Sequence, residues 1–166
     1  MKQYLKQFNK AFTSVSQSSL DEFISLLKQK RRVYLIGNGG SSAIASHFAN
    51  DLIKIGGIEA ICLSDNIPTL TAYANDMGYH CVYSEQIKNF MHPPDILVAI
   101  SSSGNSPNIL KAIKEAKRLG LKTIGFVGFK GGKFKPDIKI YVKSNDYGIV
   151  ESVHETLAHY IISMVK

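Results

Sequence analysis

Tyr4, Leu5, Phe8, Ala11, Phe12 and Val15 recur at three- and four-residue steps, which predicts an opening helix with an apolar stripe. Ser16 to Ser19 interrupts it. Ser19-Leu20-Asp21-Glu22 then reads as a capping box ahead of a second helix, whose stripe is Leu20, Phe23, Ile24 and Leu27. After Arg32 the pattern alternates, with short buried-type strands near 33–37, 59–63, 95–100, 122–127 and 138–142. Between and after them come helical patterns near 41–54, 69–74, 78–91, 106–119 and 149–165. Strand–helix alternation of this length predicts an α/β fold, a parallel sheet with helices on both faces. The expected organisation is one domain over 1–166, with a helical segment at 1–31 and an α/β core at 32–166. Two aromatic-rich helices before the first strand exceed what one sheet face needs. They either cover the sheet or mediate a homo-oligomer, and the oligomer is the favoured expectation.

Two strand-to-helix turns carry the chemistry. Val33-Tyr34-Leu35-Ile36 runs into Gly37-Asn38-Gly39-Gly40-Ser41-Ser42, and Ile96 to Ile100 runs into Ser101-Ser102-Ser103-Gly104-Asn105-Ser106. Small residues admit an anion close to the backbone, and the helix that follows offers free N–H groups and a positive dipole end. Ser106-Pro107 reads as an N-cap followed by the first helical position. On such sheets ligands bind beyond the carboxyl ends of the strands, where both turns fall. The first turn lacks the GxGxxG spacing, Asp65 is only a loose match for a ribose-binding acid, and P-loop and Gly-x-Ser-x-Gly patterns are absent. A hydroxyl-rich cradle for a phosphomonoester remains, with no nucleotide cofactor. The stretch Gly125 to Pro136, containing Lys130-Gly131-Gly132-Lys133, is read as a solvated turn, with contact to the ligand as the alternative.

Composition narrows the classes. Hydrophobic residues make up 45% and charged residues 20% of 166 residues, ordinary for a globular chain. Apolar runs are strand-length, so no membrane span is expected, and the first residues lack a signal-peptide core. Cys62 and Cys81 are too few for a disulfide framework, which suggests a cytoplasmic protein with free thiols. The net charge of +7 is concentrated in lysines at 111–118 and 130–143. Without an aromatic-interleaved basic stripe or a helix-turn-helix signal, nucleic acid is not the expected partner; an anionic small ligand suits the field.

His47 and Asp51 share a helix face at i,i+4, and Glu151, Glu155 and His159 climb another helix at four-residue steps, with His154 off that stripe. The two sets could converge on a divalent metal or form an acid/base pair; equally, they could be surface ion pairs and caps. His80 and His92 read as structural or exposed. Asn75-Asp76 could hold sugar hydroxyls or cap the next helix.

Gly37-Asn38-Gly39-Gly40-Ser41 leading to Ala45-Ser46-His47-Phe48, the Ser101 to Ser106 loop, Ala74-Asn75-Asp76, and Glu151-Ser152-Val153-His154 leading to His159 together resemble the sugar isomerase (SIS) domain, in its phosphoheptose isomerase branch. The resemblance spans nearly the whole chain. It implies a five-stranded parallel sheet and a homotetramer with active sites between subunits. It also implies phosphate held by Ser101, Ser102, Ser103 and Ser106 with Ser41 nearby, and substrate contacts from Asn38, Gly39, Gly40, Asn75, Asp76 and Glu151. His47, Asp51, Glu151 and His159 match the positions of a divalent metal site, usually zinc, with Asp51 as base and His159 as acid or ligand. The implied reaction is aldose–ketose isomerisation of a sugar phosphate through an enediol, most directly of sedoheptulose 7-phosphate for surface polysaccharide precursors. Four positions depart from the branch: Asp51 replaces a Glu, Glu151 a Gln, Ile55 an Arg and Gly148 an Asp. A different sugar phosphate is the competing substrate. A non-catalytic module that senses sugar phosphates or binds a replication initiator is the competing class.

Overall fold

The computed structural model describes all residues, 1–166. Five strands, β1 (Val33–Gly37), β2 (Ala60–Cys62), β3 (Ile96–Ser101), β4 (Lys122–Val127) and β5 (Ile138–Tyr141), form one sheet in the order β2-β1-β3-β4-β5. Every pairing is parallel. The helices are α1 (Lys2–Phe12), α2 (Gln17–Leu27), α3 (Gly40–Lys54), α4 (Ile67–Met77), α5 (Val82–Phe90), α6 (Pro107–Arg118) and α7 (Tyr147–Val165). A single 3-10 turn, Tyr79–Cys81, joins α4 to α5. The α/β sheet expected from the alternating pattern is therefore the observed fold. No helix is long and apolar enough to cross a membrane.

Strand periodicity splits the core in two. Val33 and Leu35 of β1 join Ile96 and Val98 of β3 on one face, packed under α2, α3 and α7. Tyr34 and Ile36 join Leu97 and Ala99 on the other face, under α5 and α6. Of the two leading helices, α2 buries Leu20, Phe23, Ile24 and Leu27 in the first core. By contrast α1 buries only Ala11 and leaves Tyr4 and Leu5 exposed, and α4 buries nothing.

Local chemistry moved three boundaries. The cap of α2 is Ser16, whose hydroxyl accepts the Ser19 N–H at 3.3 Å, so the helix starts before the expected box at Ser19. Asn66 caps α4 by accepting the Thr69 N–H at 3.1 Å, and Pro68 sits in its first turn, which extends the expected 69–74 helix at its start. Gly78, at φ 88, ends α4 and separates it from α5.

The connection from β1 leads to β2 on one side, and β3 then pairs with the other side of β1. That reversal opens a crevice at the carboxyl ends of β1 and β3. Gly37 is registered with Ile100, so both hydroxyl- and glycine-rich turns leave the sheet side by side.

Candidate active site

Beyond the ends of β1 and β3 lies a cavity of about 150 Å³. Ser41, Ser101, Ser102, Ser103 and Ser106 line it, together with Asn38, Ile100, Tyr147 and Glu151. No cation lines it; its one charged group is the Glu151 carboxylate. The Ser102 hydroxyl is buried and has no hydrogen-bond partner, which is unusual for a group whose desolvation costs roughly 1–3 kcal/mol. Ser106 occupies the N-cap position of α6, yet its hydroxyl makes no cap bond, contrary to the sequence expectation. Hydroxyls left unbonded beside two helix N-termini form a cradle for a tetrahedral anion.

Asn38 lines the cavity but is largely committed to the protein. It exchanges amide hydrogen bonds with Asn108 of α6, donating at 2.9 Å and accepting at 2.8 Å, and accepts from the Tyr79 hydroxyl at 3.0 Å. Tyr83 donates to the Gly37 carbonyl next to it. These bonds clamp the first turn to α6 and to the start of α5, leaving one Asn38 N–H for a ligand.

A second cluster sits where α3 packs beside α7. His47 Nδ1 is 2.6 Å from Glu155 Oε1, and His47 Nε2 is 3.6 Å from Asp51 Oδ2. His159 Nδ1 lies 3.4 Å from Asp51 Oδ2, and His159 Nε2 lies 3.6 Å from Glu155 Oε1. The two rings meet edge to face at 5.0 Å. Both imidazoles are about half exposed, with side-chain exposures of 48% and 54%, whereas the Asp51 side chain is 11% exposed. Ligand atoms of His47, Glu155 and His159 all fall within 4.8 Å of one another. Two imidazoles and two carboxylates are a donor set that suits a divalent transition ion such as zinc.

Of the four residues expected around a metal, the structure brings together His47, Asp51 and His159; Glu151 stands apart and Glu155 takes its place. The reason is axial position. Helices α3 and α7 lie side by side, and each four-residue step climbs about 6 Å. Glu155 and His159 meet His47 and Asp51, while Glu151 is level with the start of α3. A Cβ added at Gly40 would stand 2.5 Å from Glu151 Oε2, so glycine there is what admits the carboxylate. Asn75 and Asp76 are also not brought to the cavity. They lie exposed in the last turn of α4, bonded to each other at 2.9 Å, and cap no helix. Gly39 is the N-cap position of α3 and carries no cap bond.

Tyr147 was missed in the sequence although it shares the four-residue stripe of Glu151, Glu155 and His159. His80 and His92 are exposed, as expected. His154 is fully buried with neither ring nitrogen bonded and its ring edge-on to Phe126 at 5.7 Å. Burial pushes its pKa down to about 4, so it is a neutral core side chain.

Known proteins match this chain over most of its length. The SIS domain family model matches residues 1–128. A phosphoheptose isomerase of Helicobacter pylori strain P12 is 36% identical, the match covering 99% of this chain and 90% of that protein. One from Aliarcobacter butzleri is 38% identical over 86% of this chain and 79% of that protein. The solved structure of the phosphoheptose isomerase from Neisseria gonorrhoeae superimposes with a TM-score of 0.92 at 28% identity, covering 99% of this chain and 94% of that one.

Proposed function

The chain belongs to the SIS domain family, in its phosphoheptose isomerase branch, and from that premise we propose that it is a sugar-phosphate isomerase whose substrate is sedoheptulose 7-phosphate. One observation carries the reading: a single helix face presents Tyr147 and Glu151 to the hydroxyl cavity and Glu155 and His159 to the acid–imidazole cluster. Glu151 and His159 are about 12 Å apart along the helix axis. An extended open-chain ketose phosphate of seven carbons comes near such a span, and a five-carbon one falls well short of it.

In this reading Ser102, Ser106 and their neighbours hold the phosphate, and the carbonyl end of the sugar reaches Asp51 and His159. Asp51 takes the proton from C1 while His159, next to it, supplies a hydrogen bond and then a proton to the C2 oxygen, which yields an enediol. Returning the proton to C2, with loss of the O1 proton, gives the aldose. The donor set fits a divalent ion, zinc foremost, which His47, Glu155 and His159 would hold; such an ion stabilises developing negative charge on the sugar oxygens. The retained cluster favours catalysis over a binding-only module, which has no use for it.

We further read the protein as a cytoplasmic homo-oligomer, a tetramer with sites between subunits, serving surface polysaccharide precursor synthesis. The support is that α4 buries no residue, α1 exposes Tyr4 and Leu5, and the histidine cluster lies half open. The test of function is incubation with sedoheptulose 7-phosphate and zinc in D2O. Deuterium enters the sugar and aldose forms with the wild type, and Asp51→Asn and His159→Ala abolish both. Absence of exchange with every C5 to C7 ketose phosphate contradicts the assignment.

A further inference from the structure

The cavity for the phosphate has no cation in its wall and one carboxylate, an unfavourable surrounding for a dianion. The missing charge lies on the other side of Ser103. Residues 128–133, within the Gly125 to Pro136 stretch read from the sequence as a solvated turn, expose Lys130, Gly132 and Lys133 but lay their backbone against the serine loop. Gly128 N–H donates to the Ser102 carbonyl at 2.9 Å, and Lys133 N–H donates to Asn105 Oδ1 at 3.0 Å. Gly132, at φ 54, approaches so closely that a Cβ there would stand 2.5 Å from the carbonyl oxygens of Ser103 and Gly104. Between these anchors Phe129 holds a φ of 51, a conformation that bulky residues rarely take and that surrounding contacts must enforce. Its N–H donates to the Ser144 carbonyl at 2.7 Å, its carbonyl accepts from the Tyr141 hydroxyl at 2.6 Å, and its ring packs on Tyr147 at 4.6 Å.

The residue this turn displays is Lys130. It lines a second cavity of about 300 Å³ with Ser103, Asn105 and Phe129, and Ser103 is shared with the first cavity. No carboxylate lines that second cavity, and Lys130 makes no salt bridge. A tightly anchored turn thus carries an exposed lysine with no salt bridge into a cavity whose wall includes Ser103 of the serine loop, next to the buried, unpartnered Ser102 hydroxyl. We propose that Lys130 is the charge reader of this site, a specificity residue that selects a dianionic phosphomonoester by acting on it across Ser103. The proposal rests on the phosphate-cradle part of the reading above and does not depend on the isomerase chemistry.

The experiment compares wild type, Lys130→Ala, Lys130→Arg and Lys114→Ala, the last removing an exposed α6 charge that lines neither cavity. Binding of inorganic phosphate is measured by calorimetry at low and high salt, and steady-state kinetics with sedoheptulose 7-phosphate are measured in parallel. For one screened cation facing a dianion, K130A weakens phosphate binding and raises KM by roughly three- to tenfold. It leaves kcat unchanged and flattens the salt dependence, K130R restores most of the loss, and K114A matches wild type. Weaker phosphate binding in K130A with no turnover of sedoheptulose 7-phosphate by the wild type would sustain Lys130 and overturn that sugar as the substrate. Phosphate affinity, KM and salt slope in K130A equal to those of K114A would overturn the proposal, as would wild-type protein that binds no phosphate.

Discussion

Replacing Ser102 with alanine separates stability from binding in a way the structure makes quantitative. The hydroxyl is buried and unpartnered, so the folded protein carries its desolvation cost without a compensating bond. Removing it leaves almost no cavity. The ligand-free protein is therefore expected to gain up to about 1 kcal/mol, which for a chain of this size raises Tm by roughly 2–4 °C. With phosphate bound, the same hydroxyl donates to a charged oxygen, a bond whose loss costs about 1.5–3 kcal/mol. Ser102→Ala should thus raise KM for the sugar phosphate roughly 10- to 150-fold while melting higher than wild type in phosphate-free buffer. Differential scanning calorimetry with and without phosphate reads both effects, and the wild type gains more from the ligand than the variant does. A variant that melts lower without phosphate, or that binds phosphate as well as wild type, refutes the assignment of Ser102 as a hydroxyl held open for an anion.

Further tests probe other parts of the molecule. His154 has a folded pKa of about 4 against about 6.5 unfolded, so the unfolded chain takes up a proton first as pH falls. Its contribution is fully favourable above about pH 6.5, falls by about 2 kcal/mol by pH 5, and reaches its full loss near pH 4. His154→Leu should flatten urea-unfolding stability between pH 7 and pH 5 relative to wild type; an unchanged slope contradicts the buried neutral imidazole. Gly132→Ala forces a Cβ against two carbonyl oxygens at φ 54 and should cost about 1–3 kcal/mol in chemical denaturation while weakening phosphate binding. Gly40→Ala displaces the flexible end of Glu151 and not the backbone, so turnover should fall with a stability change within about 0.5 kcal/mol.

The sheet was legible because strand and helix periods differ and each strand is bounded by small or polar residues. The expected strands near 33–37 and 122–127 coincide with β1 and β4. Both anion turns were legible from Gly and Ser alone, since the parallel fold dictates which strand ends they occupy. What the sequence did not reveal depends on how far one helix slides along another. Glu151 and Glu155 share a stripe, and only the packing of α7 against α3 decides that Glu155 meets His47 while Glu151 meets Gly40. Asn75 and Asp76 looked like a polar pair with a task, yet α4 carries them on an open face. The turn at 128–133 exposes Lys130, Gly132 and Lys133 as a solvated turn does, but its anchoring to the serine loop was not legible, because one bond runs between backbone groups and the other from a backbone N–H to Asn105, which composition does not record.

The central claim is that phosphate and carbonyl ends of one sugar occupy the serine cavity and the α3–α7 cluster together. A crystal structure of the Asp51→Asn variant soaked with sedoheptulose 7-phosphate tests it directly. The expected result is phosphate oxygens within hydrogen-bond distance of the Ser102 and Ser106 hydroxyls, with C1 and C2 lying between residue 51 and His159. A sugar seated with its phosphate against His47 and His159, or with its carbonyl end turned away from them, would contradict it.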